Sequence, residues 1–135
     1  MPAGYSGTPL AKKLNLRDGQ VCWFDAMPEA IMDEIDEYAL ELSFVADPAQ
    51  GIDAAHIFVT EAGDLSSKLA SLRQQLSPKG LIWVSWPKKG SGHETALDQA
   101  AVQRIGHDAG LIATKKCAVD ETWSGLKFVN PQAER

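Results

Sequence analysis

The sequence predicts one α/β domain of three layers, a mostly parallel sheet with helices on both faces. Three observations carry this reading. Six apolar runs alternate with three amphipathic helical patterns. The central runs are apolar at nearly every position, as parallel strands covered on both faces require. The last two runs are separated only by Asp120-Glu121-Thr122-Trp123-Ser124-Gly125, too short for a helical crossover, so they form an antiparallel hairpin. A chain of 135 residues suits a single domain, 1–135, that buries roughly two-thirds of its unfolded surface.

The elements follow in order. In the amino-terminal segment, residues 1–17, Thr8 fits a helix cap and Pro9 a first helical position. Leu10 and Leu14 then pack inward over the sheet while Lys12 and Lys13 face out. Gln20 to Asp25 is the first strand. Pro28 opens a helix whose Ile31, Ile35 and Tyr38 share one face, with Asp33, Glu34, Asp36 and Glu37 on the other. Glu41 to Ala46 is a short second strand ending at Asp47-Pro48, and Ala55 to Thr60 is the third. Leu65, Leu69, Leu72 and Leu76 mark the next helix, which Ser77-Pro78-Lys79-Gly80 terminates. Strand four is Leu81 to Trp86. The following helix has two candidate capping boxes, Ser91 with Glu94 and Thr95 with Asp98, and a stripe of Leu97, Ala101 and Ile105 that ends at Gly110. Leu111 to Val119 and Leu126 to Val129 are the hairpin strands. The expected strand order is 2-1-3-4-6-5, with strand six antiparallel.

Charge is unevenly distributed. Residues 1–17 carry Lys12, Lys13 and Arg17 and no acid, whereas residues 18–67 carry twelve acids and no Lys or Arg. Residues 68–135 hold ten bases against six acids, for a net charge of -5 over the chain. That balance argues against a nucleic-acid binder. No run reaches the ~18 apolar residues of a membrane span, and no apolar stretch follows the basic start, so a cytoplasmic protein is expected. Cys22 and Cys117 lie inside apolar runs without the spacing of a zinc or redox pair and read as core thiols. The acidic helix 29–41 could dock a basic protein partner, and a homo-oligomer stays open.

In an open parallel sheet, ligands bind beyond the carboxyl ends of the strands, where helix amides point outward. The loop after Trp86 is the chemically richest there, with Lys88, Lys89, Gly90, Ser91, Gly92 and His93. Ammonium groups, free amides and a helix dipole together favour an anion. The candidate ligand-binding set is Ser6, Thr8, Lys12, Lys13, Trp86, Lys88, Lys89, Ser91, His93, Asp120, Glu121 and Trp123. Within it His93 could carry a proton, either tryptophan could stack on a planar ligand, and Asp120 and Glu121 could serve as base or as partners of the lysines. His56 reads as a core histidine, and His107 lies late in a helix. Gly90-Ser91-Gly92 lacks the third glycine of a dinucleotide fingerprint, no Walker motif occurs, and Ser85 is not in a nucleophile elbow. The residues assign no cofactor, no metal and no catalytic group.

Two resemblances follow. The element order, with Ile57-Phe58-Val59-Thr60, the leucine helix, Ser77-Pro78-Lys79-Gly80 and Leu81-Ile82-Trp83-Val84, resembles a shortened class I S-adenosylmethionine-dependent methyltransferase. It implies a Rossmann-like fold and a divergent methyltransferase-like enzyme as one alternative. Asp47 would then stand where such enzymes keep a ribose-binding acid. The turn Asp25-Ala26-Met27-Pro28-Glu29, however, lacks the glycines of their cofactor loop. Gly4-Tyr5-Ser6-Gly7-Thr8-Pro9-Leu10-Ala11-Lys12-Lys13-Leu14, Trp83-Val84-Ser85-Trp86-Pro87-Lys88-Lys89 and Asp120-Glu121-Thr122-Trp123-Ser124-Gly125-Leu126-Lys127 are similar to a family of small bacterial proteins, a domain of unknown function of the 3052 type. That resemblance implies kinship without an activity. The residues themselves favour a binding or regulatory domain that holds a small anionic ligand at the sheet edge.

Overall fold

A computed structural model describes residues 8–131. Its elements are α1 (Leu10–Lys13), β1 (Val21–Asp25), α2 (Glu29–Glu37), β2 (Ser43–Phe44), β3 (Ile52–Phe58), α3 (Ala62–Gln75), β4 (Leu76–Pro87), α4 (Gln99–Asp108), β5 (Ile112–Ala118) and β6 (Trp123–Val129). One six-stranded sheet has the order β2-β1-β3-β4-β6-β5. β1, β2, β3 and β4 pair in parallel, and β6 runs antiparallel to both β4 and β5. The expected α/β class and strand order therefore hold.

Helices cover both faces because the strands alternate two apolar sets. Ala55, Ile57 and Val59 of the third strand region join Ile82, Val84 and Trp86 under Leu65, Leu69 and Leu72 of α3 and Val102 of α4. Ala54, Phe58, Leu81 and Trp83 face the other way, under Leu10, Ala11 and Leu14 at α1 and Ile31 and Ile35 of α2. Trp83 Nε1 donates to the Leu14 carbonyl at 2.8 Å, which fixes the chain after α1 against the sheet centre.

Several local expectations are corrected. The cap of α1 is Pro9, with no side-chain cap bond, so Thr8 does not perform the predicted role. β2 is two residues rather than six. β3 starts at Ile52 rather than Ala55. Ser77-Pro78-Lys79-Gly80 is absorbed into β4 as an irregularity, since Ile52 pairs Leu76 and Ala54 already pairs Leu81. Asp53 holds that bulge by accepting from Ser77 Oγ at 2.9 Å, and its other oxygen accepts from the Val21 amide at 2.9 Å. Neither capping box starts α4. Asp98 is its cap, accepting from the Ala101 amide at 2.8 Å. Thr95 instead accepts from the Leu97 amide and donates to the Thr60 carbonyl, tying the preceding loop to the end of β3.

Candidate functional site

The carboxyl ends of β3 and β4 and the amino end of β6 meet at one sheet edge, where the loop after β4 joins the β5–β6 hairpin. The Lys88 amide donates to the Thr122 carbonyl at 2.7 Å, and Lys88 Nζ donates to the Asp120 carbonyl at 2.6 Å. Asp120 Oδ1 accepts from the Thr122 and Trp123 amides, each at 2.8 Å, which closes the hairpin turn. Asp120 is thus committed to the turn, the usual use of a carboxylate beside two free amides.

The loop after Lys88 stays close. Gly90 and Gly92 take φ values of 81° and 93°, which side chains rarely adopt. Ser91 donates its amide to the Lys88 carbonyl at 3.2 Å, and its buried Oγ has no hydrogen-bond partner. The His93 ring lies 5.5 Å from Trp123, and Trp123 meets Phe58 edge-on at 5.0 Å. Phe58 in turn stacks on His56 at 4.5 Å. An aromatic row therefore runs from the loop into the core on the α1 and α2 face.

Charge gathers on the same face. Burial pushes the Cys117 thiol up, and the positive charges of Lys13, Lys115 and Lys88 pull against that. Lys115 Nζ donates to the Lys13 carbonyl at 2.8 Å, joining β5 to α1. Lys127 Nζ donates to Asn15 Oδ1 at 3.0 Å, one step further along.

Of the sequence-derived site residues, Lys13, Lys88, Ser91, His93, Asp120 and Trp123 fall in this region. Lys12, Lys89 and Glu121 are exposed around it, and Thr8 is half-buried. Ser6 lies outside the described residues. Trp86 is 4% exposed and packs among the α3 and α4 core residues, so it is absent from the edge surface. Lys115 was missed. Its signal was the two-residue period of the strand, which sets it on one face with Cys117 and Val119.

An open depression of about 530 Å³ lies beside this region, lined by Thr60, Glu61, Ala62, Glu94, Thr95 and Ala96. Its two carboxylates oppose an anion, so the depression and the lysine cluster are chemically distinct. Among the described residues no group of three or more His, Cys, Asp or Glu side chains is arranged to hold a metal ion, and no helix is long and apolar enough to cross a membrane.

A family model described as Protein of unknown function (DUF3052) matches residues 11–132. No curated protein matches the sequence. Among solved structures, a chain from the Haloferax volcanii complex that holds the Trm112 methyltransferase activator superposes with a TM-score of 0.62 at 12% identity, covering 90% of this chain and 86% of that one. The magnesium protoporphyrin IX methyltransferase of Synechocystis PCC 6803 with bound SAM gives 0.55 at 14% identity, covering 90% and 74%. The ribosomal protein L11 methylase of Lactobacillus delbrueckii subsp. bulgaricus gives 0.54 at 10%, covering 90% and 74%. Identities this low show a shared Rossmann-like, methyltransferase-like fold.

The fold family implies S-adenosylmethionine, and the residues at the corresponding turn do not fit it. Ala26 occupies the left-handed region at φ 58°, so a Cβ stands where glycine would permit close backbone approach. The Asp25 carboxylate is paired with Lys68 Nζ, which also meets Asp64 at 3.2 Å. Burial works against the Lys68 charge, yet its bonds to Asp25 and Asp64 outweigh that and hold the ammonium above its ordinary range. Asp47 caps its own turn by accepting from the Ala49 amide at 2.9 Å. Asp25 and Asp47 are thus already engaged within the chain.

Proposed function

The chain belongs to the family described as Protein of unknown function (DUF3052), and we propose that it is a binding or regulatory domain for a small anionic ligand. The ligand sits at the carboxyl edge of the sheet, between α1, the loop after β4 and the β5–β6 hairpin. The observation that carries this reading is that basic side chains from separate segments are tied to the β5–β6 hairpin: Lys115 Nζ of β5 bonds the Lys13 carbonyl at the end of α1, and Lys88 Nζ of the loop after β4 bonds the Asp120 carbonyl of the hairpin turn. Like charges on neighbouring segments repel, and an anion between them reverses the sign. Main-chain bonds fix two of the ammonium groups, so little side-chain freedom is lost when the ligand arrives. The Trp123 ring, with the His93 ring 5.5 Å away and tilted 43° to it, adds an aromatic surface beside the loop.

Thermal unfolding in the presence of inorganic phosphate, citrate, S-adenosylmethionine and S-adenosylhomocysteine tests the proposal. A ligand at 100 times its dissociation constant adds about 2.7 kcal/mol, which for a domain of this size is on the order of 10 °C. Phosphate or citrate should raise the midpoint, and the double charge reversal Lys88→Glu, Lys89→Glu should remove the rise. An equal rise in that variant, or a rise confined to S-adenosylmethionine and its product, would overturn it.

A further inference from the structure

We infer that the β2 edge of the sheet docks an extended, lysine- or arginine-bearing segment of a partner protein, added as a further strand. This inference is independent of the anion site, which lies on the other side of the sheet centre.

β2 ends the strand order and is only Ser43–Phe44, both exposed. The Ser43 amide donates to the Gln20 carbonyl at 3.0 Å and the Val45 amide to the Cys22 carbonyl at 3.1 Å. Those bonds turn residues 43 and 45 toward β1. The alternation of an extended chain then turns the N–H and C=O of Phe44 outward, as a donor and an acceptor for a neighbouring strand. An open edge of this kind is a template for pairing.

The side chains at the edge specify what would pair. Phe44 is 49% exposed and Tyr38 41% exposed, and they are the large apolar side chains left exposed among the described residues. The Phe44 ring is held in place against Phe24, with centroids 5.3 Å apart at 71°. Around it the chain is uniformly acidic: residues 18–67 contain twelve acids and no Lys or Arg. Asp18, Glu41 and Asp47, which flank β2 in the chain or bond to its entry, are exposed. Asp18 accepts from the Glu41 backbone amide at 2.7 Å, which stations the Asp18 carboxylate at the entry to the strand. A pre-positioned aromatic ring, an outward peptide group and an acidic rim together suit an extended segment with one apolar residue between basic ones.

A second copy of this chain suits the edge less well. Two-fold pairing of β2 with itself would set the acids against each other. The basic edge strand β5 has its Lys115 bonded to the Lys13 carbonyl of its own chain.

The test uses the whole protein and an acetylated, amidated heptapeptide of alternating lysine and valine, with a glutamate–valine peptide as control. Amide NMR should show saturable shifts at residues 41–47 with the lysine peptide alone, slowed hydrogen exchange at Phe44, and loss of binding at high salt. Phe44→Lys and, separately, Glu41→Lys should each weaken binding by about tenfold or more. Both positions are exposed, and unchanged unfolding midpoints would confirm intact folds. Absence of saturable binding, affinity in both variants unchanged from that of the unsubstituted protein, or shifts confined to other regions would overturn the inference. So would self-association abolished by Phe44→Lys, which would identify a second copy as the occupant.

Discussion

His56 shows how one residue can set a pH limit. It is 1% exposed on β3, its Nε2 is 2.7 Å from Ser85 Oγ, and its Nδ1 is buried without a partner. The ring lies against Phe24, Phe58 and Trp83. Burial lowers its pKa from 6.5 to about 3. The folded state thus holds the neutral ring while the unfolded chain takes up a proton below pH 6.5, so stability is full above that value and falls as the pH drops toward 3. By pH 5 the loss from this group is about 2 kcal/mol. Urea unfolding at pH 7.5 and pH 5 should show it, and His56→Phe should flatten the difference. An unchanged pH dependence in that variant would assign the effect elsewhere. The sequence identified His56 as a core histidine from its apolar run, but the unpartnered nitrogen depends on what surrounds the ring, which no local pattern records.

At the scale of elements, the helices and central strands were legible because their burial follows short periods. The leucines of α3 and the isoleucines of α2 fall where the 3.6-residue period puts them. Element ends were less legible where one signal had two uses. Trp123-Ser124-Gly125 reads as a turn, yet it begins β6 and pairs Pro87, Trp86 and Ser85. Gly125 is needed there for packing, since a Cβ would come within 3.1 Å of Val119 and 3.2 Å of Trp83. Ser91 and Thr95 both resemble helix caps, yet the loop spends Thr95 on the end of β3 and leaves Asp98 as the cap. Two glycines in helices separate packing from propensity. A Cβ on Gly106 would lie 2.1 Å from the Phe128 ring, which is fully buried, so Gly106→Ala should cost about 1–3 kcal/mol despite the better helix former. Gly63 near the start of α3 faces open space, and Gly63→Ala should gain roughly 0.5–1 kcal/mol. Denaturant midpoints of the two variants moving in the same direction would contradict this account.

For the whole molecule, separated charge is the organising feature. Most acids of residues 18–67 belong to α2 and the segments leading into and out of β2, while Lys88 and Lys115 are tied to the β5–β6 side of the sheet. The sequence showed both blocks and the strand order, so the acidic edge and the loop after β4 could be foreseen. It could not show that lysines about a hundred positions apart meet, because the pairing of β5 with β6 and the docking of α1 create that proximity. The missing glycine after β1 was legible, and the structure supplies its consequence: an Asp25–Lys68 pair at the turn where the fold family binds its cofactor. The most direct test of the central claim, an anion site at the lysine cluster, is two-dimensional amide NMR of the labelled protein titrated with inorganic pyrophosphate at low ionic strength. The account predicts saturable shifts at Lys13, at Lys88 to His93 and at Lys115 to Trp123. Shifts at Asp25 to Pro28 or at Thr60 to Ala62 in their place, or none at saturating pyrophosphate, would contradict it.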